Sequence, residues 1–308
     1  MTLLTVVQNA CLSLGINKPN EAVTSYDKQI LKLVAYANKG GKEIIRYPAK
    51  DAGWSFLRKS FSFNSYFLQV TASTTLGSNI LTLADTTGII VGYGVTGLNI
   101  PAYAIVTAVT PTTVTLGNIQ NATATGSSTY TFSQISYDLP VDYSSLIPNT
   151  YFPLNNTQWY SWQITPAQAQ WIKARNGLYA GFSNRFMIQS KSIILDPYPQ
   201  SVNPYSLLYR SNAYVIDGEN QNYKTEFTKD VDTTLIDEEL LTESLIWRFK
   251  ADRGLPYDED YNIYENHLSQ LAGEDGGGGQ DIIMGSDYLL NDYYGLNIAE
   301  GSWGYYGG

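Results

Sequence analysis

Between residues 69 and 134 the chain carries one charged side chain, Asp85, in a stretch dominated by Thr, Gly, Val, Ile and Ser. β-Branched residues favour strands over helices, and glycine and proline recur between the short apolar runs. The pattern predicts a small antiparallel barrel or sandwich inserted into the rest of the chain. Because so few charges protect its surface, we expect much of this β insertion to be covered by other proteins.

Two amphipathic helices are predicted before this insertion, within residues 1–68. The first has apolar residues at helical spacing from Val7 to Leu14 and a glycine stop directly after them. The second contains Gly40 and Gly41, which each cost roughly 1 kcal/mol relative to alanine and so predict a bend or a close helix contact. The face that we expect the second helix to bury holds Tyr26, Ile30, Leu33, Ala37 and Ile44.

A helical hairpin is predicted over residues 237–273. Acidic residues open its first helix and basic residues close it, as the helix dipole favours. Gly254 and Pro256 separate the two helices, and the second helix carries a continuous apolar and aromatic stripe. We expect hairpin packing, or an interface between subunits, from Trp247, Phe249, Tyr257, Tyr261, Tyr264 and Leu268.

The chain ends in an aromatic arm that follows four consecutive glycines. Residues 280–308 contain no Lys or Arg and many tyrosines. Large rings are poorly solvated when they are left in water, and interfaces use them as anchors. We therefore expect the arm to fold on a partner through Tyr288, Tyr293, Tyr294, Trp303, Tyr305 and Tyr306.

Together these elements predict an α+β fold. The N-terminal helices and the C-terminal hairpin are expected to form a helical core, joined by the small antiparallel β insertion, additional strands and an extended C-terminal arm. The expected parts are the N-terminal helices with the first core strand at 1–68, the β insertion at 69–134, the remaining core with strands and the hairpin at 135–275, and the glycine joint with the arm at 276–308.

Charge divides the chain into two unlike parts. Residues 1–216 hold 14 basic and 8 acidic side chains, net +6, and residues 217–308 hold 5 basic and 20 acidic ones, net −15, which sum to the −9 of the whole chain. An acidic chain repels the phosphates of DNA on average, so specific nucleic-acid binding is not expected. The asymmetry indicates that the two ends of the molecule face different neighbours.

The sequence offers few groups for catalysis or metal binding. The single cysteine, Cys11, falls on the apolar stripe of the first helix, and the single histidine, His267, lies two residues after Glu265 with no local nucleophile. The spacing that starts at Asp258 begins like a calcium-binding EF-hand loop, but the required glycine and closing glutamate are missing. We expect no catalytic residue, no cofactor and no metal, and therefore no enzyme.

No secretory signal or membrane span is indicated. The opening residues lack a basic region, and eighteen consecutive apolar residues occur nowhere in the chain. We therefore expect folding in a reducing cytoplasm, without insertion into a membrane.

Two blocks of sequence resemble the head-to-tail adaptor proteins of short-tailed, podovirus-like bacteriophages, also called connector or tail tubular protein A-like proteins. The first block is LLTVVQNACLSLG at 3–15, followed by a lysine-bearing helix that ends before GWSF at 53–56. The second block is more specific and lies in the hairpin. It consists of LIWRFK at 245–250, RGLPY at 253–257, YNIYE at 261–265 and EDGG at 274–277.

The resemblance implies a structural virion protein at the head–tail junction, assembled in the host cytoplasm. Proteins of this family form a closed ring below the portal, here expected to contain twelve copies, and DNA passes through the ring without specific binding. The C-terminal segment is expected to grip the portal protein, and the far side to receive the nozzle and the tail fibres or spikes. The β insertion departs from the simplest helical members, and its contacts stay open.

Two other functions are compatible with the residues. A nozzle component, or a β-rich module that docks fibres, would use the β insertion but would not need the helical hairpin. A tail factor that degrades peptidoglycan is the third alternative, and its activity would be lost on Glu265→Ala or His267→Ala.

Overall fold

The computed structural model describes residues 1–47, 53–117, 122–148, 150–153, 162–163, 165, 167 and 185–275. Within these residues the α-helices are α1 (Leu3–Leu14), α2 (Lys28–Ile44), α3 (Glu238–Asp252) and α4 (Asp258–Asp275), and a 3-10 turn spans Ser55–Leu57. The strands are β1 (Arg58–Asn64), β2 (Phe67–Thr74), β3 (Ile80–Leu83), β4 (Gly94–Thr96), β5 (Ala104–Val109), β6 (Thr113–Gly117), β7 (Gly126–Ser133), β8 (Ser136–Asp138), β9 (Tyr143–Leu146), β10 (Phe152–Pro153), β11 (Trp162–Gln163), β12 (Arg185–Gln189), β13 (Ser192–Asp196), β14 (Pro204–Ser211), β15 (Val215–Ile216), β16 (Tyr223–Lys224) and β17 (Thr233–Thr234).

Capping residues fix the ends of the first two helices. Thr2 accepts a hydrogen bond from the amide of Thr5 (3.4 Å) at the start of α1, and Gly15 closes α1 in the left-handed conformation with φ +67°. Asp27 caps α2, so Tyr26 lies outside the helix and is fully exposed. The prediction that Tyr26 belongs to the buried face of α2 is therefore wrong. The other predicted members of that face are buried, namely Ile30, Leu33, Ala37 and Ile44.

Helix α3 is the centre of the helical core and packs against α1, α2 and α4. Because neighbours surround it, its inward residues are spread around the helix rather than confined to one stripe. Tyr214, Val215 and Phe227, from the segment before α3, belong to the same core. The buried residues of α3 are Leu240, Leu241, Ser244, Leu245, Arg248 and Phe249.

Gly40 and Gly41 allow α2 to approach its neighbours closely. A Cβ atom at Gly40 would lie 2.3 Å from Oγ of Ser244 on α3, and a Cβ atom at Gly41 would lie 2.3 Å from the ring of Tyr214. The close helix contact predicted at these glycines is confirmed.

Strands β2 to β7 form a closed antiparallel barrel in the order β2-β3-β6-β5-β4-β7. Closure leaves no open sheet edge along these strands. Tyr130 and Phe132 of β7 fill the interior, and the hydroxyl of Tyr130 donates to the carbonyl of Leu98 (2.9 Å).

Two four-stranded sheets share a further core. In one, β14 pairs with β1 along one edge and with β9 and β10 along the other, and the second has the order β11-β12-β13-β8. Their common cluster contains Tyr205 and Leu207 from the first sheet and Phe186 and Ile193 from the second. A small sheet, β16-β15-β17, meets α1 through a bridge between Thr2 and Thr233.

The prediction of a chain that mixes α and β structure is confirmed. The prediction of one helical core holds only in part, because the barrel and the paired sheets each have a hydrophobic cluster of their own. Alternating apolar residues along strands bury one face at a time, so each group of sheets closes its own interior. The predicted C-terminal arm lies outside the described residues.

Gly41→Ala tests the close contact between α2 and Tyr214. We expect a loss of roughly 1–3 kcal/mol in unfolding free energy, because the new methyl group would overlap a fully buried ring. Gly273 of α4 is the matched control, since a Cβ atom there meets no described residue within 4 Å. Gly273→Ala should stabilise the chain by up to about 1 kcal/mol in urea unfolding. Equal stabilisation by both substitutions would contradict the contact.

Candidate functional site

The hairpin of α3 and α4 carries an aromatic cluster around Trp247. The ring centroid of Trp247 lies 5.1 Å from that of Tyr261, 6.0 Å from that of Tyr264 and 6.4 Å from that of Tyr257. Tyr264 is buried, whereas Tyr257 and Tyr261 are 38% and 37% exposed. The structure thus brings four of the six hairpin candidates together, with Tyr264 in the core, Trp247 half-buried and the other two at the surface.

The two remaining hairpin candidates are core residues. Phe249 is 4% and Leu268 is 3% exposed, and both belong to the cluster that α3 organises. Their position allows a packing role and keeps them away from any partner that meets the folded surface.

Arg248 is a buried cation that the sequence pattern does not reveal. Its guanidinium donates to Oγ of Ser244 (3.2 Å), forms an ion pair with Glu43 of α2 and lies 4.2 Å from the ring centroid of Trp247. A buried arginine must be paired, because an isolated charge in the interior is very costly. Arg248 therefore links α2, α3 and the aromatic cluster.

The outward side of α2 is basic. We call its exposed residues Lys28, Leu31, Ala35 and Lys39 the basic face. Two further lysines of α2 are used within the molecule, Lys32 with Asp252 of α3 and Lys42 with Glu226. Within the described part of the chain, Lys28 and Lys39 form no ion pair, so their charge is available to a partner.

The outward side of α4 is acidic. Helix α4 contains six Asp and Glu residues and no Lys or Arg. Asp260 is neutralised by Lys250 of α3, with 2.5 Å between Nζ and Oδ2. We call the exposed stripe along this helix the acidic face, and it consists of Glu259, Ile263, Asn266, Gln270 and Glu274.

An apolar cleft of about 330 Å³ opens where α2 and α4 end. Trp54 lines it and is held by a hydrogen bond from its Nε1 to the carbonyl of Ile44 (2.8 Å). At the rim, Asp275 accepts a hydrogen bond from the amide of Ser55 (2.7 Å). Residues that are distant in sequence build this cleft, which is why sequence reasoning missed it. Its lining is Ile44, Trp54, Phe56, Leu235, Ile236, Asp237, Leu240, Leu271, Glu274 and Asp275.

The titratable candidates named from the sequence lie apart. His267 Nδ1 is 3.0 Å from Oε2 of Glu243 on α3, so its partner is across the hairpin rather than Glu265. Cys11 is buried in the helical core, and burial raises the pKa of its thiol. Among the residues described above, no three His, Cys, Asp or Glu side chains are grouped so that they could hold a metal ion.

Lys224 closes an ionic network in the loop between β15 and α3. Its Nζ donates to both carboxylate oxygens of Asp232 at 2.7 Å and to Asp217 at 3.0 Å. The carbonyl of Asp232 in turn accepts from the amide of Leu3 (2.8 Å). The network therefore ties this loop to the start of α1.

Hydrogen bonds lower the pKa of both carboxyl groups in this network. At Asp217, the amide of Glu219 and then the ammonium of Lys224 hold the pKa well below its usual range. At Asp232, burial alone would raise the pKa, but the hydrogen bonds from Lys224 and from the amides of Thr228 and Lys229 outweigh it and lower the pKa.

A groove of about 700 Å³ lies beside this network, but charged side chains that line it already pair with other residues of the chain. Lys59 Nζ donates to Asp142 (2.7 Å) and sits 3.4 Å from the ring centroid of Tyr223. The hydroxyl of Tyr209 donates to the same carboxylate (2.9 Å). These contacts connect β1 and β14 to the loop before β9.

The remaining candidates lie outside the described residues. They are the proposed portal contacts Tyr288, Tyr293, Tyr294, Trp303, Tyr305 and Tyr306. In the part of the chain that is described, no helix combines the length and apolar character needed to cross a membrane.

Comparison with protein-family models and with curated proteins finds no match to this chain.

Asp232→Asn tests the ionic network by its pH dependence. The folded-state pKa lies below the unfolded value of about 3.9, so the stabilisation is complete above that pH and is lost as pH falls through the folded pKa. We expect the variant to be less stable by roughly 1–3 kcal/mol at neutral pH, with the difference shrinking below about pH 4. Urea unfolding across pH measures this, with Glu239→Gln as the exposed control. A pH-independent difference would contradict the account.

Proposed function

We propose that this chain is a structural virion protein, a head-to-tail adaptor whose copies form a ring below the portal and let DNA pass. The observation that carries the proposal is the pair of unlike helix faces. A subunit in a closed ring must offer two different surfaces to its two neighbours. The basic face on α2 and the acidic face on α4 supply such surfaces on one helical core.

The acidity of the C-terminal part supports passage of DNA rather than its capture. Residues 217–308 carry net −15, from 5 basic and 20 acidic side chains. A wall with this charge would repel phosphates, and a conduit must not retain what passes through it. A basic channel wall in the assembled ring would contradict this part of the proposal.

The barrel suits contact with further tail proteins. Asp85 is its one charged residue, and Leu76 and Leu98 are each 65% exposed in loops near one end. These loops are joined to the chain before β7, since the amide of Thr123 donates to the carbonyl of Asn99 (3.0 Å). Exposed apolar side chains without nearby charge favour burial against a partner, here the nozzle, fibre or spike proteins.

The same barrel favours one second candidate function. A nozzle component, or a module that docks fibres, would also use a barrel with so few charges, but it would meet tail proteins rather than the portal. Binding to the portal therefore separates the two functions.

Electron microscopy of the chain mixed with the portal of the same phage tests the adaptor function. We expect a ring of additional density on one end of the portal, in the portal's own symmetry. Replacing Trp303, Tyr305 and Tyr306 by alanine should weaken portal binding at least about tenfold, because buried aromatic anchors dominate interfaces. A chain that leaves the portal bare but binds nozzle or fibre proteins would overturn the adaptor function in favour of the second candidate.

A further inference from the structure

Tyr26 is an aromatic side chain that does not pack against the residues that the structure describes. It is 101% exposed and lies directly before Asp27, the residue that caps α2. Tyrosine has a large apolar body and low conformational entropy, and it is enriched among the residues that anchor interfaces. Its position directly before α2, next to the basic face, makes it the most prominent exposed group at this end of the helix.

A cleft that can accept a tyrosine side chain lies at the other end of the same helix. The cleft beside Ile44 and Trp54 has a volume of about 330 Å³ and an acidic rim formed by Asp237, Glu274 and Asp275. Helix α2 has 17 residues, so Tyr26 and the cleft are about 25 Å apart at 1.5 Å per residue. One copy cannot fill its own cleft with this tyrosine, but a neighbouring copy can.

We propose that α2 of one copy docks antiparallel against α4 of the next copy and places Tyr26 in that copy's cleft. This inference rests on the proposed function, because head-to-tail contacts of this kind are what close a ring. The two helices match in length, with 17 and 18 residues. The antiparallel direction sets the N-terminus of α2 beside the C-terminus of α4, where the cleft opens.

Charge supports the same direction. Antiparallel docking brings Lys39, near the end of α2, to Glu259 at the start of α4, and it brings Lys28 towards Glu274 at the rim. Parallel docking would move Tyr26 a whole helix length away from the cleft. Leu31 and Ile263, which are 42% and 50% exposed, provide apolar contact along the two faces.

A second copy fits the cleft better than the chain's own C-terminal segment does. Residues 276–308 contain four acidic residues and no Lys or Arg, so the acidic rim would repel that segment. The start of α2, which carries Tyr26 to the cleft, offers Lys28 instead. Occupation by residues 276–308 is the alternative that the experiment distinguishes.

Sedimentation of the full-length chain tests the contact through exchanged charges. Lys39→Glu and Glu259→Lys should each weaken self-association roughly tenfold, and the two together in one chain should restore most of it. Tyr26→Ala should weaken association at least about tenfold, whereas Leu12→Ala, an exposed apolar residue on α1, should change it less than about twofold. Wild-type association of Tyr26→Ala would overturn the contact and assign the cleft to another occupant.

Mixing two defective chains gives a sharper result. One chain carries Tyr26→Ala and Lys39→Glu, which damage its basic face, and the other carries Glu259→Lys and Glu274→Lys, which damage its acidic face. Each alone should stay monomeric, and the mixture should form dimers that grow no further, because one intact contact per pair remains. A mixture that associates no more than its components would overturn the proposal.

The outcomes also separate this contact from the adaptor function. Normal rings of the damaged chains on the portal would overturn the contact and leave the adaptor function standing. A wild-type chain that neither binds the portal nor associates would overturn both.

Discussion

The packing of α3 among three other helices is the constraint on which the helical core depends. Because α3 is enclosed, α2 and α4 each turn one side inward to it and keep the other side for solvent or a partner. The close approach at Gly40 and the ion pair between the buried Arg248 and the exposed Glu43 fix α2 against α3. The unlike outward faces of the two helices follow from this arrangement, and the proposed ring contact uses those faces.

The barrel and the paired sheets are joined to each other through tyrosines. The ring of Tyr198 occupies the space where a side chain at Gly94 of β4 would stand, and a Cβ atom there would come within 2.4 Å of the ring. The hydroxyl of Tyr137 accepts a hydrogen bond from the amide of Tyr66, just before the barrel (2.8 Å). Such contacts bury aromatic surface between elements that carry few charges. Part of the high tyrosine content of the chain therefore serves to join the barrel to the sheets.

Local patterns in the sequence predict the parts of the fold that local physics determines. The strands of the barrel follow from Thr-rich and Val-rich runs between glycines, and α1 and α2 follow from apolar residues at helical spacing. The prediction for Tyr26 fails because Asp27 caps the start of α2, so the helix begins after Tyr26 and spacing alone is misleading. The glycine pair in α2 is informative, since a neighbouring side chain occupies the space where each Cβ atom would stand.

The features missed from the sequence depend on contacts between distant segments. Helix α3 has no single apolar stripe because it is buried on several sides. An arginine such as Arg248 is expected at the surface from sequence alone, because its partner Glu43 lies on another helix. The cleft is lined by Ile44, Trp54 and Leu271, which come from three different segments, so no local sequence pattern predicts it. The hairpin candidates divide into core and surface residues for the same reason, because burial is set by what packs on α4.

Cross-linking between copies tests most directly the claim that these subunits meet through unlike faces. The one native cysteine, Cys11, is buried, so cysteines introduced at exposed positions can be addressed selectively. With Lys39→Cys and Glu259→Cys in the same chain, a short bis-maleimide should produce a ladder of covalent multimers, whereas either substitution alone should give dimers at most. A chain with both cysteines that stays uncross-linked while it is assembled on the portal would contradict the account.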